Sequence, residues 1–336
     1  MPKLLLRAKR LYWYLLSDAP NRQAKKNLTL FAEAVFKKTE RFLMKGDVEL
    51  KHAPIFIVGP PRSGSTLLYQ VIVRYFKICY FSNFMMRFPQ SPASVAKFLA
   101  LIDGCNPPNS FDSWYGETVG WRSPNQGFDI WCRWFPRNHT YVGSGFLSKE
   151  AINEIRSTIA IVQKSFKAPF LNKWQGNSAR MLAIAEALPE ALFIRIKRNL
   201  VFVAQSILQG KREWFEDDRH WFSTRPSNYE ELKHKAALEQ VCEQVISIEE
   251  DMDRDSSILG SDKIMTVYYE KLCKSPRGVM NSIGNFYMAR NGTPLKPIHE
   301  IPSFFSCSNS MKVSSEELKA IETYFSNKKK IKRYEV

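Results

Sequence analysis

Several features are scarce in this sequence. No uncharged apolar run approaches the ~18–20 residues that a membrane span requires, so no integral membrane protein is expected. The opening stretch "MPKLLLRAKRLYWYLL" is basic and apolar, but charges break it and no small-residue cleavage site follows. It reads as an amphipathic helix suited to a membrane surface rather than as a signal peptide. The cysteines at 79, 105, 132, 242, 273 and 307 form no C-x-x-C pair, have no histidine at metal spacing and build no compact framework. That pattern speaks against structural zinc and for reduced thiols in a cytoplasmic protein. Internal repeats and low-complexity segments are absent as well.

Acid is scarce at both ends. Residues 1–51 hold twelve Lys/Arg against five Asp/Glu, a net +7, and "KKKIKRYEV" adds five bases and one acid, a net +4. These make up most of the formal +16. Such a field favours an acidic partner, and an anionic membrane surface at the inner face is the partner expected of the basic ends. Nucleic acid is not expected. A solvated charge run that only keeps the protein soluble is the rival reading for the tail.

The central region alternates strand and helix patterns. Helical spacing of apolar residues from Leu28 to Leu43 predicts a helix before the core. Pro54 to Val58 is a short continuous apolar run, as expected of a strand buried on both faces. A glycine loop follows, and then Leu67, Leu68, Val71, Ile72 and Tyr75 predict a helix. Further strands are expected at Ala168–Trp174, over "ALFIRI" (191–196) and over "KIMTVYY". Helices are expected after Asn177, from Leu200 to Gln209, over 229–252 as one element, and after Ser275-Pro276. Ser314 with Glu317 forms a capping box for the last helix. Long loops and short helices are expected over about 105–145. The class this implies is α/β, with a mainly parallel sheet of the P-loop NTPase kind flanked by helices. The domain spans 51–326, with a basic helical segment at 1–50 and a basic tail at 327–336.

The loop "GPPRSGST" carries Gly59 and Gly64 at the spacing of a P-loop, but Ser65 stands where the lysine belongs. A P-loop lysine serves the β- and γ-phosphates of ATP, so its loss argues against γ-phosphoryl transfer. Backbone amides, the hydroxyls of Ser63, Ser65 and Thr66, and the cation Arg62 still suit a donor with one bridging phosphate and a small transferable group.

With these residues the chain resembles the sulfotransferase family, whose loop P-[KR]-S-G-[ST]-[ST] binds the 5′-phosphosulfate of PAPS (3′-phosphoadenylyl sulfate). The resemblance implies a sulfotransferase fold, PAPS as donor and adenosine 3′,5′-bisphosphate as product. It also implies a second phosphate grip, an arginine ending a later strand with a serine eight residues on. "FIRIKRNLVFVAQSIL" supplies Arg198 and Ser206, though Asn199-Leu200 replaces the family's Asp-Pro. "LNKWQGNSARMLAIAEALPEALFI" resembles the segment of tyrosylprotein and bacterial enzymes that places a lysine near the sulfuryl group, here Lys173. "WYGETVGWRSP" resembles their glutamate segment, which makes Glu117 the general base, with His139 as rival. Tyr269 in "VYYEKLCKSPRGVMNSIGNFY" and Lys312 are implied cofactor contacts. Arg62 and Lys173 would stabilise the leaving phosphate, so no metal is needed. The resemblance spans roughly residues 52–325.

The acceptor is read from residues 111–141. Trp114, Trp121, Trp131 and Trp134 stand there with Arg122, Arg133 and Arg137 interleaved, a composition suited to stacking on sugar rings and gripping acidic groups. A hydroxyl of a glycan or glycolipid is the expected acceptor. A tyrosylprotein or small-molecule acceptor is the alternative. A nucleotide kinase with a degenerate loop, and a basic membrane- or polyanion-binding module, are rivals of other classes.

Overall fold

The structure is a computed structural model that describes residues 22–46, 49–102 and 111–334. The N-terminal amphipathic stretch and Cys105 lie outside these residues. Four strands form one parallel sheet: β1 (Ile55–Val58), β4 (Leu171–Lys173), β5 (Leu192–Lys197) and β6 (Ile264–Tyr268), in the order β4-β1-β5-β6. Ile57 pairs with Lys173 and with Ile194, and Lys197 pairs with Tyr268. The remaining strands, β2 (Ser113–Trp114) and β3 (Glu117–Thr118), make a separate antiparallel hairpin.

The unbroken apolar runs follow from this position. Phe56 and Val58 face one core cluster together with Phe193, while Ile55, Ile57, Leu192, Ile194 and Ile196 face another. Both faces of the sheet are covered, so no polar alternation survives. Helix α2 (Ser65–Tyr75) packs Leu68, Val71 and Ile72 into the second cluster, with α11 (Pro276–Asn291). On the other side lie α1 (Arg22–Leu43), α3 (Pro92–Ile102), the short α4 (Phe128–Trp131), α5 (Lys149–Phe166) and α6 (Met181–Ala187). A third cluster joins α7 (Leu200–Phe215) to α9 (Ala237–Leu259) and α12 (Ser315–Tyr334) through Val203, Ile207, Val241, Val245, Ile321 and Phe325. The expected capping box holds α12: the Ser314 amide donates to Glu317 Oε2 at 3.0 Å, and the Glu317 amide donates to Ser314 Oγ at 3.2 Å. The basic residues of the expected tail, up to Tyr334, continue that helix.

Two expectations need correction. The single helix expected over 229–252 is two, α8 (Tyr229–Leu232) and α9, with α10 (Tyr269–Lys274) following later. Ala236 is extended, and Gln240 stabilises the break by donating to the Lys233 carbonyl at 2.9 Å. The region read as loops and short helices contains the β2–β3 hairpin, whose two turn residues, Tyr115 and Gly116, have φ of 47° and 91°. Positive φ at both central positions is the turn whose twist suits a two-residue hairpin.

Candidate active site

Ligands of open parallel sheets bind beyond the carboxyl ends of the strands. Here all four strands deliver a candidate residue to that edge. β1 runs into the loop 59–64, β4 ends on Lys173, Arg198 follows β5 and Tyr269 follows β6.

The loop after β1 is shaped by two left-handed residues, Arg62 (φ 68°) and Gly64 (φ 90°). Gly64 admits no side chain, because a Cβ would come within 2.3 Å of the Tyr269 ring. The loop is tied to the segment after β4: the Gly59 amide donates to Ser178 Oγ at 2.9 Å, and Ser178 donates back to the Gly59 carbonyl at 2.8 Å. Gly64 caps α2, and its carbonyl accepts the Leu68 amide at 3.1 Å, which leaves the first amides of the helix for an anion.

A cleft of about 820 Å³ opens over this loop, lined by Arg62, Gly64, Ser65, Thr66, Arg198 and Tyr269 among others. Arg62 Nε donates to Ser206 Oγ at 3.0 Å, and Arg198 Nη1 donates to the Arg62 carbonyl at 2.7 Å, so the two predicted phosphate grips are in contact. Arg198 lies over the Tyr269 ring at 4.7 Å, and its other nitrogens donate to Asn309 Oδ1 and the Ser308 carbonyl at 2.9 Å each. Arg62 thus bonds through Nε to one hydroxyl and Arg198 bonds to neutral oxygens, with no carboxylate in ion-pair contact with either among the described residues. Burial opposes the charge on both. Such cations are ready to take an anion without breaking an ion pair.

Lys173 lines neither this cleft nor the next; it lies buried behind Gly116 of the cleft wall, 1% exposed, with Nζ 3.3 Å from Gln126 Oε1. Burial, and then the nearby Arg62, lower its pKa to about 7. Gly116 of the hairpin closes over it: a Cβ there would stand 3.4 Å from Lys173 Nζ and 3.5 Å from Thr66 Oγ1. Ser63 does not line the cleft, and its hydroxyl is buried without a partner under the loop. Ser206 reaches the site through Arg62. Lys312 is on the exposed rim, and burial followed by Arg62 and Arg198 lowers its pKa.

A second cleft, about 1340 Å³, adjoins the first. Tyr115, Gly116, Gln175, Phe222 and Ser223 border both. Glu117, the residue after the hairpin turn, lines this second cleft with His139. The His139 ring stacks on Phe128, and its pKa falls to about 4 through burial and then Arg180, Lys173 and Arg225. Its imidazole is therefore neutral near pH 7.

The expected tryptophan platform is mostly core. Trp131 and Trp134 are buried, and Trp121 packs against the same cluster, whereas Trp114 is exposed. The interleaved arginines are occupied too: Arg122 lies over Trp121, Arg133 pairs with Glu154 and Arg137 with Asp129. The second cleft instead takes its rings from Phe128, Trp174, Trp214, Phe215 and Phe222, mostly outside the predicted stretch.

Residues not predicted complete the site. Arg62 sits 4.5 Å over the Tyr115 ring, and the Tyr115 hydroxyl donates to Glu213 of α7. Gly210 leaves room for that ring, since a Cβ would come within 3.1 Å of it. Ser308 and Asn309 hold Arg198 and Tyr269. A Tyr-Gly pair in a polar stretch signals the hairpin; nothing in "SCSNS" announces its role.

Fold and clefts together define an α/β protein of the phosphate-loop kind, with a basic cleft against a second, aromatic one. The chain belongs to the sulfotransferase family, whose sequence model matches residues 54–288, more than half of its length. Among solved structures, sulfotransferase STF9 from Mycobacterium avium is similar at 11% identity and a TM-score of 0.49, over 90% of this chain and 74% of that one. Sulfotransferase STF1 from Mycobacterium tuberculosis H37Rv is similar at 12% and 0.49, over 95% and 87%. A comparison with curated proteins finds no match.

Proposed function

We propose that the protein moves the sulfuryl group of PAPS to a hydroxyl of a glycan or glycolipid, releasing adenosine 3′,5′-bisphosphate. The observation that carries this reading is the convergence of loop 59–64, Lys173, Arg198 and Tyr269 at one sheet edge, beside a cleft that holds Glu117. The buried Arg198 and half-buried Arg62, neither paired with a carboxylate, and the crowded Gly64 fit an anion held close to backbone.

In this reading the loop amides, Ser65 and Thr66 hold the 5′-phosphosulfate, and Arg198 with Ser206 holds the 3′-phosphate. Tyr269 supports Arg198, and Lys312 adds charge at the rim. PAPS supplies an activated sulfuryl group on a phosphate leaving group. Glu117 takes the proton of the acceptor hydroxyl as its oxygen bonds to sulfur, with His139 as the other candidate base in the same cleft. The bond from sulfur to the bridging oxygen breaks, and Arg62 and Lys173 stabilise the charge left on phosphate. Fixed cations do this neutralising. The rings of the second cleft offer flat faces for sugar. The basic ends would bring the enzyme to the inner, cytoplasmic membrane face.

Incubation with labelled PAPS and a panel of glycans, glycolipids and tyrosine peptides tests the reading. Label is expected on a saccharide-bearing acceptor and is lost in Glu117→Gln. Label confined to tyrosine peptides, or to none of the panel, would overturn it.

A further inference from the structure

Helix α1 uses one side to pack on the protein. Ala32, Phe36 and Glu40 are buried, and Glu40 accepts the Ala93 and Ser94 amides at 3.2 and 2.7 Å. The opposite side carries Phe31, Val35 and Phe42 at 64%, 45% and 76% exposure, with Leu30 at 55%. Spacings of four and seven place Phe31, Val35 and Phe42 on one stripe, and Lys38 falls within it. An apolar ridge left open on a helix whose other face already serves the core marks an interaction surface.

A second observation lies along the flank of that ridge. A cleft of about 1020 Å³ is lined by Lys37, Arg41, Lys45 and Arg133, with Glu40 and Glu154 in its walls. Both carboxylates are engaged, Glu40 by the two amides and Glu154 by Trp134 Nε1 at 2.8 Å and Arg133 at 3.3 Å. Arg133 keeps a buried Nη1 without a hydrogen-bond partner. Lys37 pairs with Glu33 at 2.7 Å, so the positive charge that the cleft presents next to the exposed phenylalanines comes mainly from Arg41 and Lys45.

We propose that this face of α1 and its flanking cleft dock on an anionic phospholipid bilayer. The ridge enters the acyl boundary, and the cleft takes headgroup phosphates. Apolar side chains interleaved with lysine and arginine are what an interfacial helix needs, and each component strengthens the other. A second copy of the chain would set cations against cations at the same face. The inference narrows the membrane reading given above from two basic ends to one helix face, and it rests on that reading only for the kind of surface.

Sedimentation of the full chain with phosphatidylcholine vesicles, with and without phosphatidylglycerol, tests it. Binding is expected only with the anionic lipid, and it falls as salt rises. Phe31→Ser/Phe42→Ser and, separately, Arg41→Glu/Lys45→Glu should each weaken it roughly tenfold or more. Binding of adenosine 3′,5′-bisphosphate, measured on the same samples, should be unchanged, which separates a failure here from a failure at the donor cleft. The proposal is overturned by equal binding to neutral vesicles, or by no binding to either kind. It is equally overturned by wild-type binding in both variants, which would move the contact to another basic segment, or by variants that change only self-association. The lipid and salt comparisons need no variant.

Discussion

Lys173 is the residue whose surroundings constrain it most. Burial and Arg62 hold its pKa at about 7, below the ordinary 10.5. Between these values the unfolded chain binds the proton and the folded one does not, so stability rises with pH across that window. Lys173→Met should flatten the rise, as read from thermal melts between pH 7 and 10. An anion at Arg62 restores charge to the amine. Binding of adenosine 3′,5′-bisphosphate at pH 8 should therefore be accompanied by proton uptake, visible by calorimetry in buffers of different ionisation enthalpy, and Lys173→Met should reduce the uptake. Glu117→Gln should lower kcat roughly 10²–10⁴-fold while leaving bisphosphate affinity in place. A loss of affinity instead would make Glu117 a structural residue of the hairpin.

At the scale of elements, the hairpin and the phosphate loop are the parts to perturb. Tyr115→Leu removes both the ring under Arg62 and the hydroxyl bond to Glu213. It should loosen Gly116 from Lys173 and reduce kcat more than bisphosphate affinity, as separate kinetic and binding measurements would show. Gly64→Ala drives a Cβ into Tyr269 and should abolish bisphosphate binding, as measured by titration. These elements were not equally legible in the sequence. β1, the glycine loop and α2 were plain, because a strand buried on both faces leaves a continuous apolar run and a helix leaves a period of three to four residues. The capping box of α12 was readable from Ser314 and Glu317 alone. The hairpin was missed because two-residue strands leave no period, and the break before α9 because no proline or glycine marks it and the Gln240 side chain holds it by bonding back to Lys233. The tryptophans of 111–141 misled because composition cannot tell a ring that faces a ligand from one that fills a core. Glu213, Ser308 and Asn309 carried no local signal, since their partners are over 35 residues distant in sequence.

For the whole molecule, the account rests on four strand ends converging on one bisphosphorylated nucleotide. The sheet order β4-β1-β5-β6 makes that convergence possible, since the loop after β1 lies between Lys173 and Arg198. The sequence pattern gave the strands but not their order, which only the pairing register shows. A direct measurement compares the affinities of adenosine 3′,5′-bisphosphate and adenosine 5′-monophosphate for the wild-type chain and for Arg198→Ala/Ser206→Ala. The account predicts that the wild type prefers the bisphosphate by at least roughly tenfold, as one charge-assisted phosphate grip implies, and that the double variant loses the preference while still binding the monophosphate. A preference that survives intact in the double variant would contradict it.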